Sequence, residues 1–204
     1  MSEITNPILM NLPVPITTPR LIIRPPQIGD GIAVNNAICE SFDMLNQFMS
    51  WAKQMPSIEE SEIYARQAAA NWILKKNDEP YLPLYLFDKQ TKQFMGSTGY
   101  HNFDWEIPCL ETGYWIRSTC SGQGLMTEAV NALTQYAFKQ LGVKRIAITC
   151  DINNIRSKKI PERLNYQLES VIKSNRINTK GDVSDTLVYA KYDLLDIPDL
   201  ELDW

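Results

Sequence analysis

A glycine-containing loop at the start of a predicted helix is the segment whose residue types and spacing most clearly indicate a binding function. Residues 118–124 read Ser-Thr-Cys-Ser-Gly-Gln-Gly and stand between a strand-like segment and a helical pattern. Gly122 and Gly124 allow a tight turn, and the first N–H groups of a helix have no acceptor inside the helix. These N–H groups can point together at an anion, at the positive end of the helix dipole. The pattern thus indicates a phosphate-binding loop, although Gly-x-Gly at a helix start also occurs as a plain turn.

Two common nucleotide-binding motifs are excluded at this loop. Position 127 is threonine, so the third glycine of a dinucleotide fingerprint is absent, and no Gly-Lys-Ser/Thr sequence follows. A phosphate at this loop would therefore be bound mainly by backbone N–H groups.

The loop and its flanks resemble the GNAT N-acetyltransferases. The sequence Ser121-Gly122-Gln123-Gly124-Leu125-Met126 is similar to the acyl-CoA pyrophosphate loop of that family, Gln/Arg-x-x-Gly-x-Gly/Ala. The flanking sequences Glu111-Thr112-Gly113-Tyr114-Trp115-Ile116 and Thr127-Glu128-Ala129 resemble the branch that acetylates the N-termini of ribosomal proteins. Ser121 and Met126 depart from the general pattern, which binding through the main chain should tolerate.

Two further segments carry the same resemblance. Asn154-Ile155-Arg156-Ser157, followed by a segment that ends in Asn165-Tyr166, is similar to the Asn-x-x-Ser block of the family and its Gly-Phe-like end. Thr18-Pro19-Arg20-Leu21 and the residues after it resemble the first strand of the same branch, although an ordinary edge strand would need no function for its arginines. The resemblance extends over residues 18–192.

The resemblance implies an α/β fold with a twisted, mixed, mostly antiparallel sheet that is flanked by helices and splayed near residues 111–117 to admit acetyl-CoA. It implies direct transfer of an acetyl group to a primary amine, with a protein N-terminal α-amine as the preferred acceptor. Two alternatives stay open. One is a small amine such as a polyamine, amino acid or antibiotic, and the other is a catalytically silent acyl-CoA-binding module. The expected assembly is a monomer or homodimer.

The resemblance also implies which residues bind acetyl-CoA. The residues expected at the pyrophosphate are Gly122, Gln123, Gly124, Leu125, Met126 and Thr127. The pantetheine arm would run along the strand edge at Ile116 and Arg117, where a backbone N–H would polarise the thioester carbonyl. Asn154 would hydrogen-bond the pantetheine amides, although asparagine is also a preferred helix N-cap.

Glu111 and Ser157 are the catalytic candidates implied by the resemblance. An amine with a pKa of about 10 is almost wholly protonated at neutral pH, so Glu111 would remove its proton directly or through water. Ser157 would hydrogen-bond the leaving thiolate. The structural alternatives are a strand glutamate paired with a cation and an ordinary serine in a first helical turn. The tyrosine acid of many relatives cannot be assigned here, because Pro161 occupies its position.

Other candidates are weighed against structural explanations. Met49 and Trp51 follow the first predicted helix, where the family binds the acceptor, but they also suit a core. His101, the single histidine, is interpreted as a structural residue. An acyl-enzyme on Cys120 is disfavoured because no base adjoins it in sequence. Pro161 predicts a short or bent helix, because an interior proline removes a helical hydrogen bond.

Composition fits one globular domain and excludes several classes. The chain has 204 residues, 44% apolar and 22% charged, and its net charge of −4 disfavours nucleic-acid binding. Four cysteines without a Cys-x-x-Cys pair, together with one histidine, argue against a zinc site and for free thiols. No secretory signal or membrane-spanning apolar run is present, so we expect a soluble, cytoplasmic protein with no metal and no membrane partner.

The elements that must position these residues follow from periodicity and turn residues. Strands are predicted at residues 19–25, 84–87, 94–100, 110–116, 144–150, 171–177 and 186–192, with a hairpin turn at 180–182. Helices are predicted at 28–46, after a Ser57–Glu60 capping box, from 125, and briefly after 154. An extended N-terminal arm at 1–17, an acetyltransferase domain at 18–193 and a loosely held acidic tail at 194–204 complete the expected organisation.

Overall fold

A computed structural model of the protein describes residues 6–76, 81–177 and 181–204. Its strands are β1 (Ile16–Thr17), β2 (Leu21–Arg24), β3 (Leu82–Asp88), β4 (Phe94–Asp104), β5 (Cys109–Ile116), β6 (Arg145–Asp151), β7 (Gln167–Ile177) and β8 (Val183–Lys191). Its α-helices are α1 (Gly31–Asn46), α2 (Ile58–Leu74), α3 (Leu125–Tyr136) and α4 (Ile155–Arg163). None of the described helices is long and apolar enough to cross a membrane.

The strands form one mixed sheet in the order β1-β2-β3-β4-β5-β6-β8-β7. Neighbouring strands are antiparallel throughout, apart from the parallel pair β5 and β6. That parallel pairing joins only Cys109–Glu111 to residues 145–147. Beyond it, β5 pairs with β4 alone and β6 pairs with β8 alone, so the sheet opens between them. The predicted fold class and the predicted opening are both confirmed.

Both faces of the sheet are covered, as the alternation of side chains along β3 shows. Leu82, Leu84 and Leu86 belong to a buried cluster that includes the apolar side of α3. Tyr85 and Phe87 point to the opposite face and belong to a second cluster with residues of α1. The sheet is therefore sandwiched between α1 on one face and α3 on the other.

Local signals in the sequence predicted the helix ends well. Ser57 caps α2, accepting a hydrogen bond from the Glu60 N–H at 3.1 Å while its own N–H donates to Glu60 Oε2 at 2.7 Å. α1 begins at Gly31, slightly later than predicted, and α4 is a short helix of nine residues that contains Pro161.

The interpretation of residues 19–25 as an edge strand is wrong, because β1 lies outside β2.

The expectation of a loosely held C-terminal tail is also wrong. Thr17 and Asp203 exchange backbone hydrogen bonds of 2.7 and 3.1 Å, so the tail pairs with β1. The Trp204 ring packs edge-on against Tyr136, with ring centroids 5.6 Å apart. The acidic composition concealed apolar side chains that pack on the core. Residues 1–5 of the arm and residue 180 of the predicted hairpin turn lie outside the described residues.

The close approach of β4 and β5 at Gly96 generates a prediction. A Cβ atom at Gly96 would lie 2.3 Å from the Trp115 carbonyl oxygen, whereas one at Gly113 would meet the His101 ring, with Cε1 nearest at 3.3 Å. Because backbone atoms cannot give way, we expect Gly96→Ala to lower the free energy of unfolding by about 3 kcal/mol or more. Gly113→Ala is the matched control and should cost about 1 kcal/mol or less. Urea denaturation followed by circular dichroism measures both, and equal losses would contradict the prediction.

Candidate active site

The opening in the sheet exposes the backbone of β5 on one side. The Arg117 N–H, just after β5, donates to the Met95 carbonyl of β4 at 2.7 Å. In an antiparallel pair, residues alternate between bonding to the partner strand and facing away from it. Residues 113 and 115 therefore bond to β4, while Tyr114 and Ile116 turn their backbone groups toward the opening. The Ile116 N–H thus faces the opening, which is the position expected of a group that polarises a thioester carbonyl.

Arg117 does not fit the same prediction. Its N–H is already bonded within the sheet, and its Nε lies 2.5 Å from Glu40 Oε2 of α1. Glu40 also accepts hydrogen bonds from Ser118 Oγ at 3.1 Å and Thr119 Oγ1 at 2.7 Å. Burial alone would raise the pKa of Glu40, but these hydrogen bonds, with the largest effect from Thr119, lower it to about 2. Glu40, which the sequence did not single out, anchors the segment that leads into the glycine loop.

The glycine loop has the conformation that the sequence predicts. Gly122 and Gly124 have φ values of 80° and 76°, in the left-handed region that favours glycine. Glu128 donates the first hydrogen bond of α3 to the Gly124 carbonyl, at 3.0 Å. The N–H groups of residues 125–127 come before that bond and project from the helix start, where an anion can bind them. The side chains of Leu125 and Met126 are buried, so only their backbones are available to a ligand.

Arg20 holds this loop from the first part of the chain. Its Nε lies 2.6 Å from Glu128 Oε2, and its Nη1 donates to the Gln123 carbonyl at 2.9 Å. Thr18 Oγ1 donates to the other Glu128 oxygen at 2.5 Å. The sequence interpretation gave the arginines of this strand no function. That interpretation is consistent with Arg24, which forms an ion pair with Asp30 at 2.8 Å. It overlooked the contact of Arg20 with the loop.

Glu111 and His101 form a pair at the start of the opening. They are direct cross-strand partners on β5 and β4, and His101 Nε2 lies 3.6 Å from Glu111 Oε2. The neighbouring His101 lowers the pKa of Glu111, with a smaller contribution from Asn102, and burial opposes this effect. Glu111 is therefore a carboxylate at neutral pH. The interpretation of His101 as merely structural missed this pair, because a single sequence does not reveal strand register.

Met49 and Trp51 line the same cleft as this pair, which has a volume of about 1250 Å³. The Trp51 side chain is 49% exposed, and its ring centroid lies 6.2 Å from that of Trp115 on β5. Met49 packs against the cluster beneath α1. Odd-numbered residues of β5 share the face of α1, so these aromatic rings and the Glu111 carboxylate lie on the same side of the sheet.

Asn154 and Ser157 approach the opening from α4. Asn154 Oδ1 accepts a hydrogen bond from the Ser157 N–H at 3.1 Å, so the capping alternative for Asn154 is observed. Its side-chain NH₂ group makes no hydrogen bond within the described parts of the chain and remains available as a donor. Ser157 Oγ donates to Tyr114 Oη at 3.3 Å. The cleft therefore joins the carboxylate on one face of the sheet to the serine hydroxyl at the other.

A split sheet beside a helix start with projecting N–H groups defines a class of α/β protein that can hold a phosphate-bearing cosubstrate between two parting strands. The chain belongs to the acetyltransferase (GNAT) domain family, whose model matches residues 20–167. Members of this family are acetyl-CoA-dependent acyltransferases. No group of three or more His, Cys, Asp or Glu side chains that could hold a metal ion occurs among the described residues.

Individual relatives are similar to the chain at lower identity. YdaF of Bacillus subtilis (strain 168) is 37% identical over 71 residues, which make up 35% of this chain and only 39% of YdaF. The ribosomal-protein-serine acetyltransferase of Escherichia coli (strain K12) is 23% identical over 136 residues, 67% of this chain and 73% of that enzyme. The structure of RimL, a ribosomal L7/L12 alpha-N-protein acetyltransferase in complex with coenzyme A, matches with a TM-score of 0.74 and 20% identity, covering 90% of this chain and 98% of RimL. That structural match shows a shared fold.

The anchor at Glu40 generates a prediction about stability and pH. Its pKa is about 2 in the folded protein against an ordinary value of 4.5, so its stabilisation is present above pH 4.5 and is lost as the pH falls toward 2. We expect Glu40→Gln to lower the free energy of unfolding at pH 7 and the difference from the unsubstituted protein to shrink at about pH 3. Glu106→Gln, at an exposed turn, is the control. Urea titrations at both pH values measure the effect, and a difference that grows on acidification would refute it.

Proposed function

We propose that the protein transfers the acetyl group of acetyl-CoA to the N-terminal α-amine of a protein, as in the ribosomal-protein branch. The observation that carries the proposal is the opening in the sheet, with the Glu111–His101 pair on one face and the Ser157 hydroxyl at the other. The names of the Escherichia coli relative and of RimL support an acceptor of this class. Such an acceptor places the enzyme in the cytoplasm, where ribosomal proteins are synthesised.

The residues around the opening fit acetyl-CoA. The N–H groups at the start of α3 bind the pyrophosphate, and the left-handed glycines Gly122 and Gly124 bring the backbone close to it. The exposed edge of β5 accepts the pantetheine arm as an added strand. Asn154 contributes its side-chain NH₂ group as a donor to a pantetheine amide. The Ile116 N–H polarises the thioester carbonyl and then stabilises the oxyanion.

The Glu111–His101 pair prepares the amine. The Glu111 carboxylate attracts the ammonium group, and its lowered pKa keeps it charged but makes it a weaker base than an ordinary glutamate. Glu111, with His101 beside it, accepts the proton directly or through water. The neutral amine attacks the carbonyl carbon and forms the C–N bond, and the C–S bond then breaks while Ser157 Oγ donates a hydrogen bond to the thiolate. The second proton leaves the nitrogen and reaches the thiolate through solvent. The products are an amide and CoA.

The acceptor enters from the face of α1. Trp51 and Trp115 give this entrance an aromatic wall, and Met49 adds an apolar surface beside it. A wall of this kind suits the first side chains of a peptide, which provide apolar area that a small polyamine lacks. These three residues are therefore the proposed acceptor-binding surface.

Release of CoA from acetyl-CoA tests the acceptor class. We expect turnover of peptides with a free N-terminal amine and none when the same peptides carry a blocked N-terminus, even if they contain lysine. Polyamines and aminoglycosides serve as competing candidates in the same assay. Turnover of small amines alone would contradict the proposed acceptor. Tight binding of CoA without turnover of any amine would instead identify a silent binding module.

Substitution of the proposed base tests the chemistry. We expect Glu111→Gln to lower kcat/KM by roughly 10²–10⁴-fold, because it removes general-base assistance. Acetyl-CoA affinity, measured by calorimetry, should not change, because the carboxylate does not touch the loop. His101→Asn should cause a similar loss, and the double variant should be no worse than the more impaired single variant. Glu106→Gln is the charge-matched control. An unchanged rate or lost acetyl-CoA binding in Glu111→Gln would disprove the assignment.

A further inference from the structure

Pro161 leaves a gap in the hydrogen bonding of α4. In an α-helix the N–H of each residue bonds to the carbonyl four residues earlier, which for position 161 is the Ser157 carbonyl. Proline has no N–H, so this carbonyl cannot receive its usual hydrogen bond from four residues later. Tyr114 Oη of β5 donates a hydrogen bond to it at 3.1 Å. A side chain from the sheet thus replaces the hydrogen bond that proline removes.

The same tyrosine also contacts the Ser157 side chain. Ser157 Oγ lies 3.3 Å from Tyr114 Oη and donates to it. Because the tyrosine proton is directed at the carbonyl, the phenol oxygen offers only lone pairs to the serine. The Ser157 hydroxyl therefore has a fixed acceptor on the side of the opening.

A serine in the first turn of a helix has a competing choice. Its hydroxyl can bond back to a backbone carbonyl one turn earlier in the chain, which would direct it away from the opening. Tyr114 competes with that choice by offering an acceptor of its own at 3.3 Å. When negative charge develops on a leaving sulfur, the Ser157 proton can turn to it, because a hydrogen bond to an anion is stronger than one to a neutral phenol.

We propose that Tyr114 is a positioning residue for Ser157, and that Pro161 fixes Tyr114 in this role by giving its hydroxyl a carbonyl to bind. The inference rests on the proposed function, in which Ser157 stabilises the thiolate. Burial raises the pKa of Tyr114, so the phenol keeps its proton at neutral pH. Tyr114 acts through the serine and does not itself supply the proton.

A double-mutant cycle in kcat tests the first part. We expect Tyr114→Phe to lower kcat by about five- to tenfold, the effect of one lost hydrogen bond, with little change in KM for acetyl-CoA. In a Ser157→Ala background the same change should have no further effect on kcat. Tyr189→Phe is the matched control, because its hydroxyl binds Glu162 of the same helix at 3.1 Å. It should not show coupling to Ser157→Ala.

Two results would overturn this part of the proposal. Multiplicative losses in the double variant would show that Tyr114 acts independently of Ser157, and full activity of Ser157→Ala would show that the serine does not act at all. The assay uses whichever acceptor the unsubstituted protein acetylates. An error in the proposed acceptor class would therefore appear in the unsubstituted protein and not in the cycle.

Thermal unfolding tests the part played by Pro161. Pro161→Ala supplies the missing N–H, so the Ser157 carbonyl no longer depends on Tyr114. We therefore expect Tyr114→Phe to lower Tm by several degrees with proline at position 161 and by clearly less with alanine there. Equal losses in the two backgrounds would overturn the role of the proline.

Discussion

The short parallel pairing of β5 with β6 is the constraint from which the candidate site follows. Only three residues of β5 join the two strands, yet each strand continues beyond them because it has an antiparallel partner on its other side. Each strand therefore keeps its extended form where it no longer pairs with the other. The opening is therefore built from the rigid sheet and not from flexible loops. Backbone N–H groups at its edge are fixed in direction before any ligand arrives, which reduces the cost of reorganisation during the reaction.

Electrostatic balance around the glycine loop follows from a second set of contacts. A loop that binds an anion is disturbed by nearby carboxylates, and Glu40 and Glu128 both lie beside it. Each of them is paired with an arginine, Arg117 and Arg20 respectively. The carboxylates thus shape the loop through hydrogen bonds while the arginines offset their charge. A protein with a net charge of −4 can in this way retain a loop that is able to bind a phosphate group.

The sequence predicted features that depend on nearby residues and missed those that depend on residues far apart in the chain. The loop glycines and the capping box at Ser57 were predictable, because each depends on neighbours within one or two turns of chain. The pairing of His101 with Glu111 was not, because it depends on the register between two strands. The contact of Glu40 with Ser118 of the loop joins residues that are 78 positions apart in the chain. The acidic composition of the C-terminal tail predicted exposure to solvent. The tail instead packs on the core, because apolar side chains alternate along it.

The aromatic wall at the proposed acceptor entrance also has an optical consequence. Trp51 is half exposed and packs beside Trp115, so an acceptor that binds against them would change the polarity around two indole rings. The other three tryptophans lie elsewhere, with Trp72 buried beneath the sheet, Trp105 stacked on Phe103 and Trp204 against Tyr136. Intrinsic fluorescence can therefore report acceptor binding without a label and without turnover. Equilibrium titrations can then show whether the acceptor binds without the cosubstrate, separately from the chemical step.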